Sequence, residues 1–136
     1  MLFKWTKDLS VGVAKIDHQH EKLIEHINGI FVALNSEKRA ESIPSLFDGL
    51  IEYARRHFED EERLMEQHGD PSLPVHREEH RRLLHDVNEF KADYLSGRAA
   101  SMLPFQVLDF LVKWLVNHIR ETDRMMGAHL NEFGVH

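Results

Sequence analysis

Three short tracts carrying glycine or proline, residues 35–44, 69–74 and 96–104, divide the chain into four stretches in which apolar residues recur at three- and four-residue steps. That period belongs to a helix with one buried face, and no stretch shows the two-residue alternation of a half-buried strand. A first helix is expected over about 16–34, with Leu23, Ile24, Ile27, Ile30, Phe31 and Leu34 as its stripe. A second begins near Ser42 or Ser45, buries Leu46, Leu50, Tyr53, Ala54, Phe58 and Leu64, and stops at Gly69, with Pro71 and Pro74 barring its continuation. A third runs from near Pro74 to about Leu95 on Leu83, Leu84, Val87, Phe90 and Tyr94, and Gly97 ends it. The fourth, capped by Ser101, carries Phe105, Leu108, Leu111, Val112, Leu115 and Ile119 to about Ala128. Short connections make successive helices antiparallel neighbours, so the expected fold is all-α. It is an antiparallel up-down-up-down four-helix bundle over about 13–130, preceded by an irregular N-terminal arm over about 1–12. At 136 residues and 42% hydrophobic content, the chain is sized for one such domain, 1–136.

Charge and residue usage then narrow the partners. Lys+Arg total 17 against 23 Asp+Glu, and a net charge of -6 repels polyphosphate backbones and anionic headgroups, so no nucleic acid is expected. No run approaches the roughly 18 apolar residues of a membrane span, so no membrane insertion is expected either. Lys4, Lys7 and Asp8 break the N-terminal apolar residues before a secretory core could form, which makes a cytoplasmic protein the expectation. The chain has no cysteine. Disulfides, thiolate nucleophiles and thiolate-held clusters are excluded, and any metal must sit on nitrogen and oxygen.

Against that background, 11 histidines in so short a chain call for an explanation. His57 and Glu61 are four residues apart on the second helix, about 40° around the axis and one turn along it, so both side chains can reach one atom. His76 and His80 repeat the spacing on the third helix, which must lie beside the second. The first helix offers His20 just ahead of its apolar run, and the fourth offers His118, with Asp123 five residues on. A lone histidine on a half-buried helix is more often a hydrogen-bonded structural residue than a ligand; here the conjunction across four helices carries the reading. His18, His26, His68, His85, His129 and His136 fall outside this conjunction and are read as solvated.

Five imidazoles and two carboxylates exceed the needs of one zinc ion, and nitrogen with bridging oxygen suits a pair of irons. If Glu61 and Asp123 both bridge and a hydroxide is shared, His76, His80 and His118 complete six positions around one ion. His20 and His57 then leave the other ion one short, open to a ligand. Residues a turn from these ligands, among them Leu23, Ile24, Leu83, Leu84, Trp114 and Leu115, are apolar, which suits a small neutral gas, although a bundle core is apolar in any case. One spacing strains the scheme. Five residues on an ideal helix separate His118 and Asp123 by about 140°, so a π-type widening or an unusual side-chain reach is predicted between them.

The arrangement closely resembles the hemerythrins, the single-domain bacterial ones in particular, over essentially the whole chain. The residues that carry the likeness are Trp5 in the arm, Ile16-Asp17-His18-Gln19-His20, His57-Phe58 with Glu61 and Glu62, His76 with Glu79-His80, and Trp114-Leu115 with His118-Ile119 and Asp123. The resemblance implies a centre of two iron ions (Fe2+/Fe3+) with a bridging hydroxide or oxide, whose diferrous form takes up dioxygen reversibly at the five-coordinate iron held by His20 and His57. It implies an oxygen pocket lined by Leu23, Phe58, Leu115 and Ile119. It further implies a monomer that is not an enzyme and that transports, stores or delivers oxygen, with an oxygen-accepting protein as a candidate partner.

The nearest alternative is a di-iron redox enzyme acting on peroxide or nitric oxide. Ferritin-like oxidases use Glu-x-x-His pairs and carboxylate-rich coordination, and no Glu-x-x-His occurs in this chain. A sensor of oxygen or iron would have to work through a separate partner, because the chain leaves no room for an output domain. A zinc hydrolase ranks last, since there is no His-Glu-x-x-His motif.

Overall fold

The computed structural model describes residues 2–98 and 101–136. The four periodic stretches are helical: α1 is Ala14–Leu34, α2 is Ile43–Gln67 and α3 is Leu73–Leu95. The fourth helix has three parts, α4 over Pro104–His118, a π turn over Ile119–Asp123, and α5 over Arg124–Glu132, so it runs a turn beyond the expected end. There are 3₁₀ turns at Lys7–Leu9 and Glu37–Ser42, and no strand among the described residues. No helix among them is long and apolar enough to cross a membrane. Gly69 (φ 61°) and Gly97 (φ 87°) take the left-handed conformation that ends α2 and α3.

Cross-helix pairs fix the topology. Gln19 meets Asp60 while His26 meets Tyr53, so α1 and α2 run antiparallel. Glu61 meets His80 while Asp48 meets Lys91, which does the same for α2 and α3. Thr122 meets Glu79, Trp114 donates to the Leu83 carbonyl at 2.9 Å, and Phe110 stacks on Phe90, so the last helix runs antiparallel to α3. The bundle is therefore up-down-up-down, with α1 also packed on α4.

Several details differ from the sequence reading. Ser101 does not cap α4. Pro104 occupies the first turn and holds Leu103 extended (φ −79°, ψ 155°), and the Leu103 N–H donates to Gln106 Oε1 at 2.7 Å. Ala99 and Ala100, within the expected 96–104 connection, lie outside the described residues. The α2 core face is turned slightly from expectation: Phe47 and Met65 are fully buried, while Leu46, Tyr53 and Leu64 are half-buried. On α3, Val87 and Phe90 are buried, and Leu83, Leu84 and Tyr94 sit at the edge. Phe105, expected inside, is 56% exposed. A helical stripe about 100° wide leaves such flanking positions undecided until a neighbour is placed.

The arm is irregular but packed. Leu9 and Val11 are buried, and Asn28 clamps Phe3 by accepting from its N–H at 3.1 Å and donating to its carbonyl at 2.8 Å. Asp17 in the first turn of α1 accepts from the Val11 N–H and the Ser10 hydroxyl, and Asn131 on α5 donates to the Gly12 carbonyl. Gly127 is what lets the arm lie on α5, since a Cβ there would stand 1.9 Å from the Val11 carbonyl oxygen.

Candidate metal centre

All seven candidate ligands converge inside the bundle. His20 comes from α1, His57 and Glu61 from α2, His76 and His80 from α3, His118 from the end of α4 and Asp123 from the π turn, and none is more than 3% exposed. They form two overlapping groups able to hold a metal ion. One is Glu61, His76, His80, His118 and Asp123, the other His20, His57, Glu61 and Asp123, with ligand atoms within 4.8 Å of one another in each.

Each shared carboxylate divides its oxygens between the two groups. Glu61 Oε1 is 3.0 Å from His80 Nε2 and 3.6 Å from His76 Nε2, while Oε2 is 3.1 Å from His57 Nε2 and 3.6 Å from His20 Nε2. Asp123 Oδ1 lies 2.9 Å from His118 Nε2 and 3.2 Å from His76 Nε2, and Oδ2 lies 3.1 Å from His20 Nε2. The Nε2 atoms of His80 and His118 are 3.2 Å apart. Two donors bound at right angles to one ion, each at about 2.1 Å, stand about 3 Å apart, so these spacings fit donors placed around a cation.

The hydrogen bonding tests the same idea. His20 Nε2, His57 Nε2, His76 Nε2, Glu61 Oε2 and both Asp123 oxygens are buried without a hydrogen-bond partner. Leaving so many polar atoms unsatisfied in one place is costly unless a cation takes their lone pairs. Without a metal, protons serve instead. Burial opposes the charged form of His20 and His76, but the negative carboxylates of Asp123 and Glu61 facing them outweigh it and raise both to about 9. His118 is raised against the same opposition by Asp123, Glu61 and Glu79. Burial pushes Glu61 and Asp123 up, yet the imidazoles around them hold both well below the usual carboxylate range.

The π turn answers the strained spacing. The Arg124 N–H reaches the Ile119 carbonyl, an i→i+5 bond that widens the helix so that residues five apart share a face. Both His118 and Asp123 can then point inward. Of the residues expected to line a pocket, Leu23, Phe58, Leu115 and Ile119 are all buried. Phe58 stacks on His80 at 4.1 Å and is farther from His57, at 5.7 Å between ring centroids.

Sequence reasoning assigned no role to the residues that hold the imidazoles from outside. His57 Nδ1 is 2.6 Å from Gln19 Oε1, His80 Nδ1 is 2.8 Å from Glu62 Oε2, and His118 Nδ1 is 2.7 Å from Glu79 Oε1. Arg77 braces Glu62 at 3.1 Å, and the Thr122 hydroxyl donates to Glu79 at 2.8 Å. Each such bond fixes a ring with Nε2 facing the centre. The pattern is regular, because Gln19, Glu62 and Glu79 each sit next to a candidate ligand on their own helix and each hold a histidine on the following helix. Adjacency to a ligand was the available signal.

Of the histidines read as solvated, His18, His85 and His136 are exposed. His26 is instead half-buried against Tyr53, and burial lowers its pKa. His68 meets the Leu64 carbonyl, and His129 meets the His68 carbonyl at 2.9 Å, tying α5 to the end of α2. His68 and His129 are structural, because helix ends at the bundle's rim need partners for their carbonyls, and His26 packs on an aromatic ring of the neighbouring helix.

Fold and site together define a helical-bundle metal-binding protein, with a buried centre of histidines and two shared carboxylates. Residues 11–130 match the family model described as hemerythrin HHE cation binding domain, and the chain belongs to the hemerythrin family. It is 35% identical over 136 residues to a bacteriohemerythrin of Stenotrophomonas maltophilia, covering 97% of this chain and 86% of that protein. Identity to a bacteriohemerythrin of Clostridium acetobutylicum is 30% over 126 residues, 90% of this chain and 97% of that one. Among solved structures, a wild-type hemerythrin superposes with a TM-score of 0.81 at 28% identity, covering 96% of this chain and 98% of that chain.

Proposed function

We propose that this chain, acting as a single hemerythrin-like domain, binds dioxygen reversibly at two irons for transport, storage or delivery of oxygen. His76, His80 and His118 would hold one iron, His20 and His57 the other, with Glu61, Asp123 and a hydroxide or oxide shared between them. The reading rests on the unequal donor sets: three imidazoles face one side of the paired carboxylates and two face the other. Such a centre, when bound, supplies reversible redox chemistry toward dioxygen at the less saturated ion.

The chain's own groups do the rest. Glu61 and Asp123 place two negative charges against the cations, and the outer bonds from Gln19, Glu62 and Glu79 hold three rings in position. Leu23, Phe58, Leu115 and Ile119 carry no titratable group, so a pocket they line excludes water and offers no proton donor, which favours binding over turnover. All seven donors come from one chain, so a monomer suffices, and an oxygen-accepting protein is the partner such a carrier would serve.

The test is anaerobic iron loading with metal counting, followed by optical spectra over repeated admission and removal of dioxygen. Two irons per chain and a charge-transfer band that appears and vanishes with dioxygen are expected. Net consumption of dioxygen would replace this reading with a redox enzyme, and failure to load two irons would overturn the ligand assignment. His57→Ala should cripple loading while His85→Ala, at the exposed surface, leaves it intact.

A further inference from the structure

The outer hydrogen bonds of the imidazoles are not alike. His80 and His118 meet carboxylates, Glu62 and Glu79. His57 meets an amide, Gln19, and His20 Nδ1 is buried with no partner at all. The Gln19 amide is also oriented: its Nε2 donates to Asp60 Oδ2 at 2.8 Å. Asp60 further meets Arg63 at 3.0 Å and Lys15 at 3.9 Å. A carboxylate set between two cations accepts rather than donates, so Asp60 requires the NH2 end of Gln19, which leaves Oε1 for the His57 Nδ1–H.

An imidazole that shares its outer proton with a carboxylate gains electron density and becomes a stronger donor at Nε2; an amide acceptor adds little of this, and no acceptor adds none. We infer that the chain grades donor strength across the centre, strong at His80 and His118 and weak at His57 and His20, and that Gln19, oriented by Asp60, is the positioning residue that keeps His57 weak. The inference rests on the two-iron reading above. Strong donors favour the higher oxidation state of the ion they hold and weak donors the lower. The grading would keep the iron of the open side easy to return to its ferrous state when dioxygen leaves.

The decisive variant exchanges the two groups, Gln19→Glu with Asp60→Asn. It keeps net charge and side-chain size, lets the new amide donate to the new carboxylate, and moves the charge one hydrogen bond closer to His57. Glu62→Gln and Glu79→Gln make the opposite change on the other side. The measurements are iron per chain, an anaerobic redox titration followed optically, and the exchangeable imidazole N–H resonances of the cobalt(II)-loaded protein. The exchange should retain two irons and lower the reduced-to-oxidised ratio at a fixed potential by about tenfold, with a displaced His57 N–H resonance, while the glutamine variants raise that ratio. A tie that merely joins α1 to α2 would move neither the ratio nor the resonance. Two irons with an unchanged ratio, or shifts of one sign in all variants, would overturn the inference and leave the dioxygen reading standing. If the exchange variant fails to fold, Glu62→Gln and Glu79→Gln decide, and no rise in their ratio overturns it. A wild-type chain that does not load two irons would overturn both readings together.

Discussion

Loading the centre with metal should release protons in a number set by the buried histidines. In the metal-free chain His20 and His76 have pKa values of about 9, and His118 is raised as well. A metal ligand must be neutral imidazole, so every proton held at Nε2 has to leave on binding. At pH 7.5 a group of pKa 9 is about 97% protonated, so His20 and His76 together give up about 1.9 protons, and the raised His118 adds to that total. At pH 9 the first two are half-titrated and give up only about one. With unperturbed imidazoles of pKa 6.5, each would release only about 0.1 proton at pH 7.5. Water converted to a bridging hydroxide would add a proton at both pH values, so the fall between them is the diagnostic quantity. The assay is an anaerobic titration with substoichiometric additions of cobalt(II), which keep the free ion low, in weakly buffered solution with proton release followed by pH-stat. Fewer than one proton per chain at pH 7.5, or no fall of about one by pH 9, would refute the proposed protonation of the metal-free site.

Three further outcomes follow from named contacts. The metal-free chain should lose stability at alkaline pH: the raised imidazoles contribute fully below 6.5 and lose their contribution as pH rises through about 9, whereas Glu61 and Asp123, depressed below 4.5 and 3.8, stay ionised there. Its melting temperature should fall by roughly 5 °C or more from pH 6 to pH 9.5, with the metal-loaded protein much flatter by the same calorimetry. Gly127→Ala puts a methyl group 1.9 Å from the Val11 carbonyl oxygen and should cost about 1–3 kcal/mol by urea denaturation, with the arm released first to limited proteolysis. Deleting the exposed Glu121 should let the π turn relax to regular helix with Asp123 still inward, now four positions from His118 as Glu61 is from His57. Metal stoichiometry should survive in that variant, while inserting one alanine after Glu121 should abolish it.

What could be read from the sequence was whatever repeats. The 3.6-residue period placed α1, α2 and α3 to within a few residues, and the His57–Glu61 and His76–His80 pairs were visible because spacing four is the spacing that shares a helix face. Features decided by a neighbouring helix were not visible. Phe105 satisfies the period of α4 as well as Leu108 does, yet it faces out. His26 and His129 lack ligand spacing, yet Tyr53 and the end of α2 enclose them. Leu9 and Val11 lie in a segment with no period at all, yet both are buried, and Val11 fits only because Gly127, more than a hundred residues away, carries no side chain.

The violation of period at His118 and Asp123 was the most informative signal. A carboxylate five residues from a histidine is useless to a regular helix, so either the pairing or the helix had to give way, and the π turn shows that the helix did. Without that turn Thr122 would take the inward position and Asp123 would rotate off the centre by about 100°. With it, Asp123 reaches both histidine groups while Thr122 turns to Glu79, which holds His118. One local widening thus positions the Asp123 carboxylate between the two histidine groups and braces the histidine that precedes it. A residue's distance in sequence from a ligand says whether it can bind beside it, but the helix geometry between them says whether it does.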